Sequence, residues 1–245
     1  MEKNETPVPE TVQSEGAARR FKDLTSEEKL YVDSVWVLSV MFCIVCLWAI
    51  FMVIWNTTAL QEQITADELT TIMELAAIIA LLLLLKKTSI TVQDLGLSPD
   101  RFKKAALRTL YRVPIMFGVF CGAKLIFMAV KPEFFKGAPF WDWSQADSRL
   151  YKYLFTSLLQ ELLSRGGVQE ALTRVLPGKH ADLIAIFMTS VFFMALHVQR
   201  GLFFMLGAGV LSFVLGLIYR KDRSVFSVWL IHYFFGKFGD FFRFI

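Results

Sequence analysis

The chain has 245 residues, 55% of them hydrophobic, and its mean hydropathy of +0.50 is well above that of a soluble domain of this size. A soluble enzyme is therefore excluded. The net charge of +4 does not indicate nucleic-acid binding, because the basic residues cluster where loops would meet a cytoplasmic membrane surface. The cysteines, Cys43, Cys46 and Cys121, lie in apolar runs and indicate neither a disulfide framework nor a thiolate metal site.

The amino-terminal segment differs in composition from the rest of the chain. Residues 1–30 are rich in charge and poor in large apolar side chains. Such a segment cannot bury enough surface to offset the entropy lost on ordering, so it is predicted to be a disordered cytoplasmic tail. The uncharged run over residues 34–55 follows, and it is long enough to cross the hydrocarbon of a bilayer as a helix.

Six further apolar runs follow, and each is predicted to be a membrane-crossing helix. They cover about residues 69–85, 110–130, 150–163, 183–198, 202–219 and 225–235. The predicted fold class is all-α, a polytopic bundle of about seven transmembrane helices. Residues 31–140 form its amino-terminal helices, and residues 141–245 form a carboxy-terminal core.

The loops predict the orientation in the membrane. The loop over residues 56–68 contains acidic but no basic residues, whereas residues 86–112 contain many Lys and Arg. Because basic side chains are retained on the cytoplasmic side, the first loop is placed outside and the second inside, with a cytoplasmic amino terminus. We expect an integral protein of a bacterial or archaeal plasma membrane.

Four ionisable residues in or beside the apolar runs of the carboxy-terminal core are candidates for function. They are Glu161, Arg165, His197 and His232. An ionisable side chain costs free energy in lipid unless it is paired or hydrated, so each of the four is a candidate functional residue. Glu161 and Arg165 are four residues apart and can pair along a helix. A turn at 177–178 would form an antiparallel hairpin that brings His197 to the depth of Glu161.

A carboxylate and two imidazoles are the groups needed to activate a water molecule. Glu161, His197 and His232 could accept its proton, orient it and steady a developing oxyanion. No cofactor is expected, although the same three side chains are an alternative Zn²⁺ site with an open position. The alternative is that each of these residues has only a structural role, as a packing residue or as one partner of a stabilising pair. Glu74 and Lys124 are interpreted as an interhelical pair or as snorkelling groups.

Three sequence motifs carry a family resemblance. They are Gln160-Glu161-Leu162-Leu163-Ser164-Arg165-Gly166, then Phe193 with His197, and then His232 with Gly236. In order and spacing they resemble the motifs Glu-Glu-x-x-x-Arg, Phe-x-x-x-His and His-x-x-x-Asn of the CAAX protease and bacteriocin-processing family, also called the Abi family, of intramembrane endopeptidases. The resemblance covers about residues 150–240 and identifies 141–245 as a protease-like core.

The resemblance implies roles for these residues. The family's first-motif glutamate and second-motif histidine activate water, and its third-motif histidine and asparagine stabilise the oxyanion. Carried over by position, His197 would polarise the water, His232 would be an oxyanion donor and Arg165 would order the first motif.

Two positions depart from the family pattern. Gln160 replaces the first glutamate, and an amide cannot be a general base at neutral pH. Glu161 is the remaining carboxylate, and it can replace that base only if the helix is rotated or locally unwound, which the glycines at 166–167 would allow. Gly236 supplies no side-chain donor in place of the asparagine.

Two classes of function are consistent with this pattern. The first is an intramembrane endopeptidase that hydrolyses a peptide bond in a membrane-associated peptide or protein. Its expected partners are that substrate and the lipid bilayer, with no nucleic acid. The alternative is a catalytically inactive relative that acts as an immunity, regulatory or binding protein.

Overall fold

The computed structural model describes residues 24–135, 137 and 139–244, and this part of the chain is helical without any strand. The all-α prediction is confirmed. The α-helices are α1 (Ser26–Thr57), α2 (Leu60–Gln63), α3 (Ala66–Lys87), α4 (Pro99–Val130), α5 (Arg149–Glu161), α6 (Glu170–Val175), α7 (Ala181–Ala195), α8 (Leu202–Asp222) and α9 (Val225–Phe241). A π-helix over Leu162–Gln169 joins α5 to α6, and 3₁₀ turns cover Pro132–Phe135, Trp143–Gln145 and Val198–Arg200.

All seven predicted spans coincide with helices, if the continuous run from α5 to α6 is taken as one. Only the span predicted for residues 183–198 outruns its helix, because α7 ends at Ala195. Within the described part of the chain, four helices are long and apolar enough to cross a membrane, and they cover Ser26–Thr57, Glu68–Lys87, Pro99–Val130 and Leu202–Asp222. The chain is therefore an integral membrane protein, while seven crossings remain a prediction.

Helix α1 begins inside the range predicted as a tail. Thr25 is its N-cap, and the Thr25 side chain accepts a hydrogen bond from the Glu28 amide at 3.2 Å. The Glu28 carboxylate accepts in turn from the Thr25 amide at 2.8 Å, which completes a capping box and starts the helix at Ser26. Residues 1–23 lie outside the described part, so the tail itself stays a prediction.

The main hydrophobic core surrounds the π-helix. Its buried members include Leu162 and Val168 of the π-helix, Ala185 of α7, Leu215 of α8 and Val228 of α9. Helix α7 packs along α8, and α9 packs against α4, α5 and α8. The π-helix therefore lies at the centre of the bundle, with other helices around it.

Two charged residues predicted inside spans have separate partners. Glu74 of α3 lies 3.6 Å from the Lys152 ammonium and accepts a 2.7 Å hydrogen bond from the Thr156 hydroxyl, both on α5. The interhelical interpretation therefore holds for Glu74, but with α5 as its partner helix. Lys124 of α4 is fully buried and donates to the Phe242 carbonyl at 2.8 Å, so it does not pair with Glu74.

Candidate active site

The first motif lies where the helix changes from α to π. Helix α5 ends at Glu161, and the i→i+5 pattern then runs from Leu162 to Gln169. A Cβ added at Gly166 would overlap the backbone of Leu95, so glycine is what allows the loop between α3 and α4 to lie directly on this helix. The glycine pair is expected only to allow local unwinding, and the structure has a π-helix over this stretch. Such π-helical turns recur at functional sites.

Arg165 is the centre of a buried polar network. It is fully buried, and its Nε donates to Glu161 Oε2 at 2.9 Å. Its Nη1 donates to Gln169 Oε1 at 3.1 Å, and its Nη2 donates to Ser212 Oγ of α8 at 2.7 Å. The Gln169 amide then donates to the Gly216 carbonyl at 3.3 Å. The guanidinium thus fixes the carboxylate and ties the π-helix to α8.

Glu161 and His232 form a direct carboxylate–imidazole pair. His232 Nδ1 lies 2.8 Å from Glu161 Oε1, and the exposed fractions of the two residues are 3% and 0%. Because an ionised carboxylate only accepts hydrogen bonds, the hydrogen of this pair belongs to His232 Nδ1. The Nε2 atom of His232 is then left to interact with a reacting group.

His197 follows the end of α7 and lies beside this pair. Its Nδ1 is 2.7 Å from the Phe193 carbonyl oxygen, which can only accept, so Nδ1 carries the hydrogen and Nε2 is free. The imidazole stacks on the Phe193 ring with a centroid separation of 4.5 Å. The same Phe193 ring lies 5.7 Å from the His232 ring, so one phenylalanine contacts both imidazoles.

The structure thus brings the predicted site residues together to different degrees. Glu161, Arg165 and His232 are in direct contact. His197 is next to His232 across the Phe193 ring, but within the described residues no hydrogen bond joins it to Glu161. His197 therefore lies beside the pair of Glu161 and His232 and is not bonded to the carboxylate.

The two positions that depart from the family pattern lie at the edge of this network. The Gln160 side-chain oxygen is buried and has no hydrogen-bond partner in the described part of the chain. At Gly236, an added Cβ would overlap the Tyr153 hydroxyl and ring. Tyr153 was missed in the sequence, although it stands with Ser157 and Glu161 at four-residue intervals on one face of α5.

The alternative zinc site does not fit this geometry. Among the described residues, no group of three or more His, Cys, Asp or Glu side chains is arranged to hold a metal ion. Both Glu161 oxygens are already hydrogen-bonded, one to Arg165 and one to His232 Nδ1, so the carboxylate is not free to share a metal ion with the two imidazoles.

The segment before α5 is held by hydrogen bonds to Asp142. Its carboxylate accepts from the Ser144 amide at 2.9 Å and from the Gln145 side chain at 3.2 Å. These bonds, those from Ser144 first, hold the pKa of the Asp142 carboxyl below its usual value. The Asp142 amide donates to the Phe241 carbonyl at 2.9 Å, so this segment is tied to the end of α9.

The fold and the site together define a class, an integral membrane protein of helices that enclose a carboxylate–imidazole pair. Residues 143–236 match the family model of type II CAAX prenyl endopeptidase Rce1-like proteins. This match confirms the resemblance predicted from the three motifs, and at the level of the family it indicates a CAAX-protease-like membrane peptidase. The matched segment covers less than half of the chain. No curated protein and no solved structure matches this sequence.

Proposed function

We propose that this chain is an intramembrane endopeptidase that hydrolyses a peptide bond in a membrane-associated peptide or protein. The observation that carries the proposal is the buried pair of Glu161 and His232, with His197 on the same phenylalanine ring. Charged groups are costly inside a membrane protein, and such residues mark sites of function. The family match over residues 143–236 supports the same activity.

The pair of Glu161 and His232 is proposed to take the proton of the attacking water. His232 Nδ1 donates to the carboxylate, so Nε2 carries the lone pair when the ring is neutral. When water attacks the carbonyl carbon, its proton passes to Nε2, and Glu161 stabilises the imidazolium that forms. Glu161, predicted as the base, thus acts through His232.

His197 is proposed to orient the same water. Its Nδ1–H is committed to the Phe193 carbonyl, so the Nε2 lone pair can accept a hydrogen bond from the second hydrogen of the water. Proton transfer then requires that the water lie within hydrogen-bond reach of both imidazoles.

The reaction closes with transfer of the same proton. The tetrahedral intermediate collapses, the carbon–nitrogen bond breaks, and the imidazolium of His232 gives its proton to the departing amine. Arg165 is a positioning residue, because it holds the Glu161 carboxylate toward His232 and contacts no reacting atom.

The proposal is tested with purified protein in lipid nanodiscs and three fluorogenic probes. One probe is a farnesylated peptide, chosen because the matched family is described by prenyl substrates. The second is the same peptide without the lipid, and the third is a transmembrane peptide segment. We expect cleavage of at least one probe, with a loss of about 10²-fold or more in His232→Ala and His197→Ala.

His180 provides the matched control. It is the remaining histidine of the chain, it is exposed at the start of α7, and His180→Ala should keep full activity. Failure to cleave any of the three probes, or full activity in both His197→Ala and His232→Ala, would overturn the proposal.

One observation favours the alternative of a catalytically inactive relative. Glu161 is completely buried, both its oxygens are hydrogen-bonded, and Gln160 stands where the family has a glutamate. That alternative predicts that Glu161→Gln leaves the biological phenotype unchanged. A large gain of proteolysis in Gln160→Glu would also support it, because the natural chain would then be a disabled protease scaffold.

A further inference from the structure

We infer that the Tyr153 hydroxyl is the oxyanion donor that replaces the asparagine side chain missing at Gly236. The inference rests on the proposed peptidase function and adds one catalytic residue to it. It explains how a site without the third-motif asparagine could still stabilise the negative charge that develops on the carbonyl oxygen.

The first observation is where the Tyr153 side chain lies. Gly236 is one helical turn beyond His232 on α9, and a Cβ at Gly236 would overlap the Tyr153 hydroxyl and two ring carbons. No side chain larger than hydrogen fits there while Tyr153 keeps this position. The hydroxyl therefore occupies the volume into which an asparagine at 236 would project.

The second observation is that Tyr153 faces the imidazole of the proposed base. Its ring lies 5.9 Å from the His232 ring and nearly perpendicular to it. Tyr153 is about two turns before Glu161 on the same face of α5. The phenol thus lies next to the imidazole that is proposed to take the proton of the water.

The third observation is that the hydroxyl is unengaged. Within the described residues it forms no hydrogen bond, whereas the hydroxyls of Thr156 and Ser157 on the same helix bind Glu74 and the Leu154 carbonyl. An O–H group left without a protein partner beside an imidazole is available to a ligand oxygen.

Lys237 is the obvious rival donor, and its contacts argue against it. Its ammonium is bound to the Asp240 carboxylate and lies over the Tyr153 ring, 4.8 Å from the centroid. The ammonium therefore faces the ring of Tyr153, and its charge is already paired. Lys237 holds the phenol in place and leaves the hydroxyl as the free donor.

The primary test compares Tyr153→Phe with Tyr233→Phe on whichever probe the wild-type protein cleaves. The Tyr233 ring lies 6.0 Å from that of Tyr153, so this control removes a neighbouring hydroxyl with a similar change of volume. We expect Tyr153→Phe to lower kcat by about 10²–10³-fold, the cost of one oxyanion donor, while KM changes little. Tyr233→Phe should keep the wild-type kcat, and equal kcat in both variants would overturn the inference.

A swap of the two side chains tests whether they occupy one position. Tyr153→Ala opens the space at Gly236, so Tyr153→Ala combined with Gly236→Asn should be more active than Tyr153→Ala alone. Gly236→Asn by itself should lower the unfolding temperature, because its Cβ meets the tyrosine. If the double variant unfolds at the wild-type temperature and is no more active than Tyr153→Ala alone, the two side chains do not share one position.

A binding measurement separates this inference from the proposed function. A peptide phosphonate carries a charged tetrahedral oxygen, and wild type should bind it more tightly than the matching amide, with that preference lost in Tyr153→Phe. If wild type shows the preference but cleaves nothing, the oxyanion site stands and the peptidase proposal fails. If the wild type cleaves a probe and Tyr153→Phe cleaves it equally well, the peptidase proposal stands and the oxyanion inference fails. If the wild type shows neither cleavage nor preference for the phosphonate, both fail.

Discussion

The amino-terminal helices α1, α3 and α4 differ from the π-helix that follows α5 in how much of each is buried. In the most apolar windows of α1, α3 and α4, only 22%, 11% and 6% of the residues are buried. In contrast, nearly every residue of the π-helix is buried, including Arg165 and Gln169. Most of the surface of α1, α3 and α4 therefore lies on the outside of the bundle, while the π-helix encloses polar groups. The family match, at residues 143–236, falls on the enclosing part.

The two regions also differ in how a buried cation is compensated. Arg165 faces an ionised carboxylate and two neutral acceptors. Lys124 of α4 is equally buried, but its ammonium donates to the carbonyls of Pro139 and Phe242. The contacts of Arg165 hold the Glu161 carboxylate in the site, whereas the contacts of Lys124 anchor the residues that follow α9. Removing each cation should therefore have different consequences.

The largest effect is expected from Arg165→Met. The change leaves the Glu161 carboxylate buried without its cation, and loss of one partner of a buried ion pair costs about 3–5 kcal/mol. The free energy of unfolding in detergent would show it. Arg220→Met is the control, because Arg220 is half-exposed in its pair with Asp182 and should cost about 1 kcal/mol or less. Equal losses in both variants would contradict the central place given to Arg165.

A smaller effect is expected from Lys124→Met. It leaves two neutral carbonyl acceptors unpaired and no ion, so we expect a loss of about 1–3 kcal/mol in the free energy of unfolding. Proteolysis of the carboxy-terminal residues after Phe241 should increase. If Lys124→Met destabilised as much as Arg165→Met, the distinction between the two buried cations would be wrong.

The smallest effect is expected from acidification of the segment before α5. The pKa of Asp142 is lower in the folded chain than its usual value of 3.8. The ionised carboxylate therefore stabilises the fold at pH values above 3.8. This contribution is lost as the pH falls from about the usual aspartate value through the lower folded value. Asp142→Asn should therefore flatten the acid side of the curve of unfolding temperature against pH, and an unchanged curve would contradict it.

Local geometry accounts for what could be predicted at the site. Glu161 and Arg165 are four residues apart, and their pairing at 2.9 Å follows from helix periodicity. The glycines at 166–167 allowed for local unwinding without requiring it, and the structure has a π-helix there. His197 and His232 were singled out because ionisable residues are rare in apolar spans.

Contacts between distant helices could not be read in the same way. His232 and Glu161 are 71 residues apart, and their 2.8 Å contact depends on the rotation of α9 about its own axis. The approach of Tyr153 to Gly236 depends equally on the register between α5 and α9. The composition of each helix is compatible with many rotations about its own axis, so it does not determine which side chains meet between helices.

The sequence by itself therefore determined the helical class of this protein and the position of its helices, because each helix follows from a continuous apolar run. It also determined the pairing of Glu161 with Arg165, which lie four residues apart along the chain. The tertiary structure alone decided that Glu161 pairs with His232, that Lys124 anchors Phe242 and that Tyr153 fills the space beside Gly236. Those contacts are set by side-chain packing between helices, which fixes rotation and register only when the whole core is assembled.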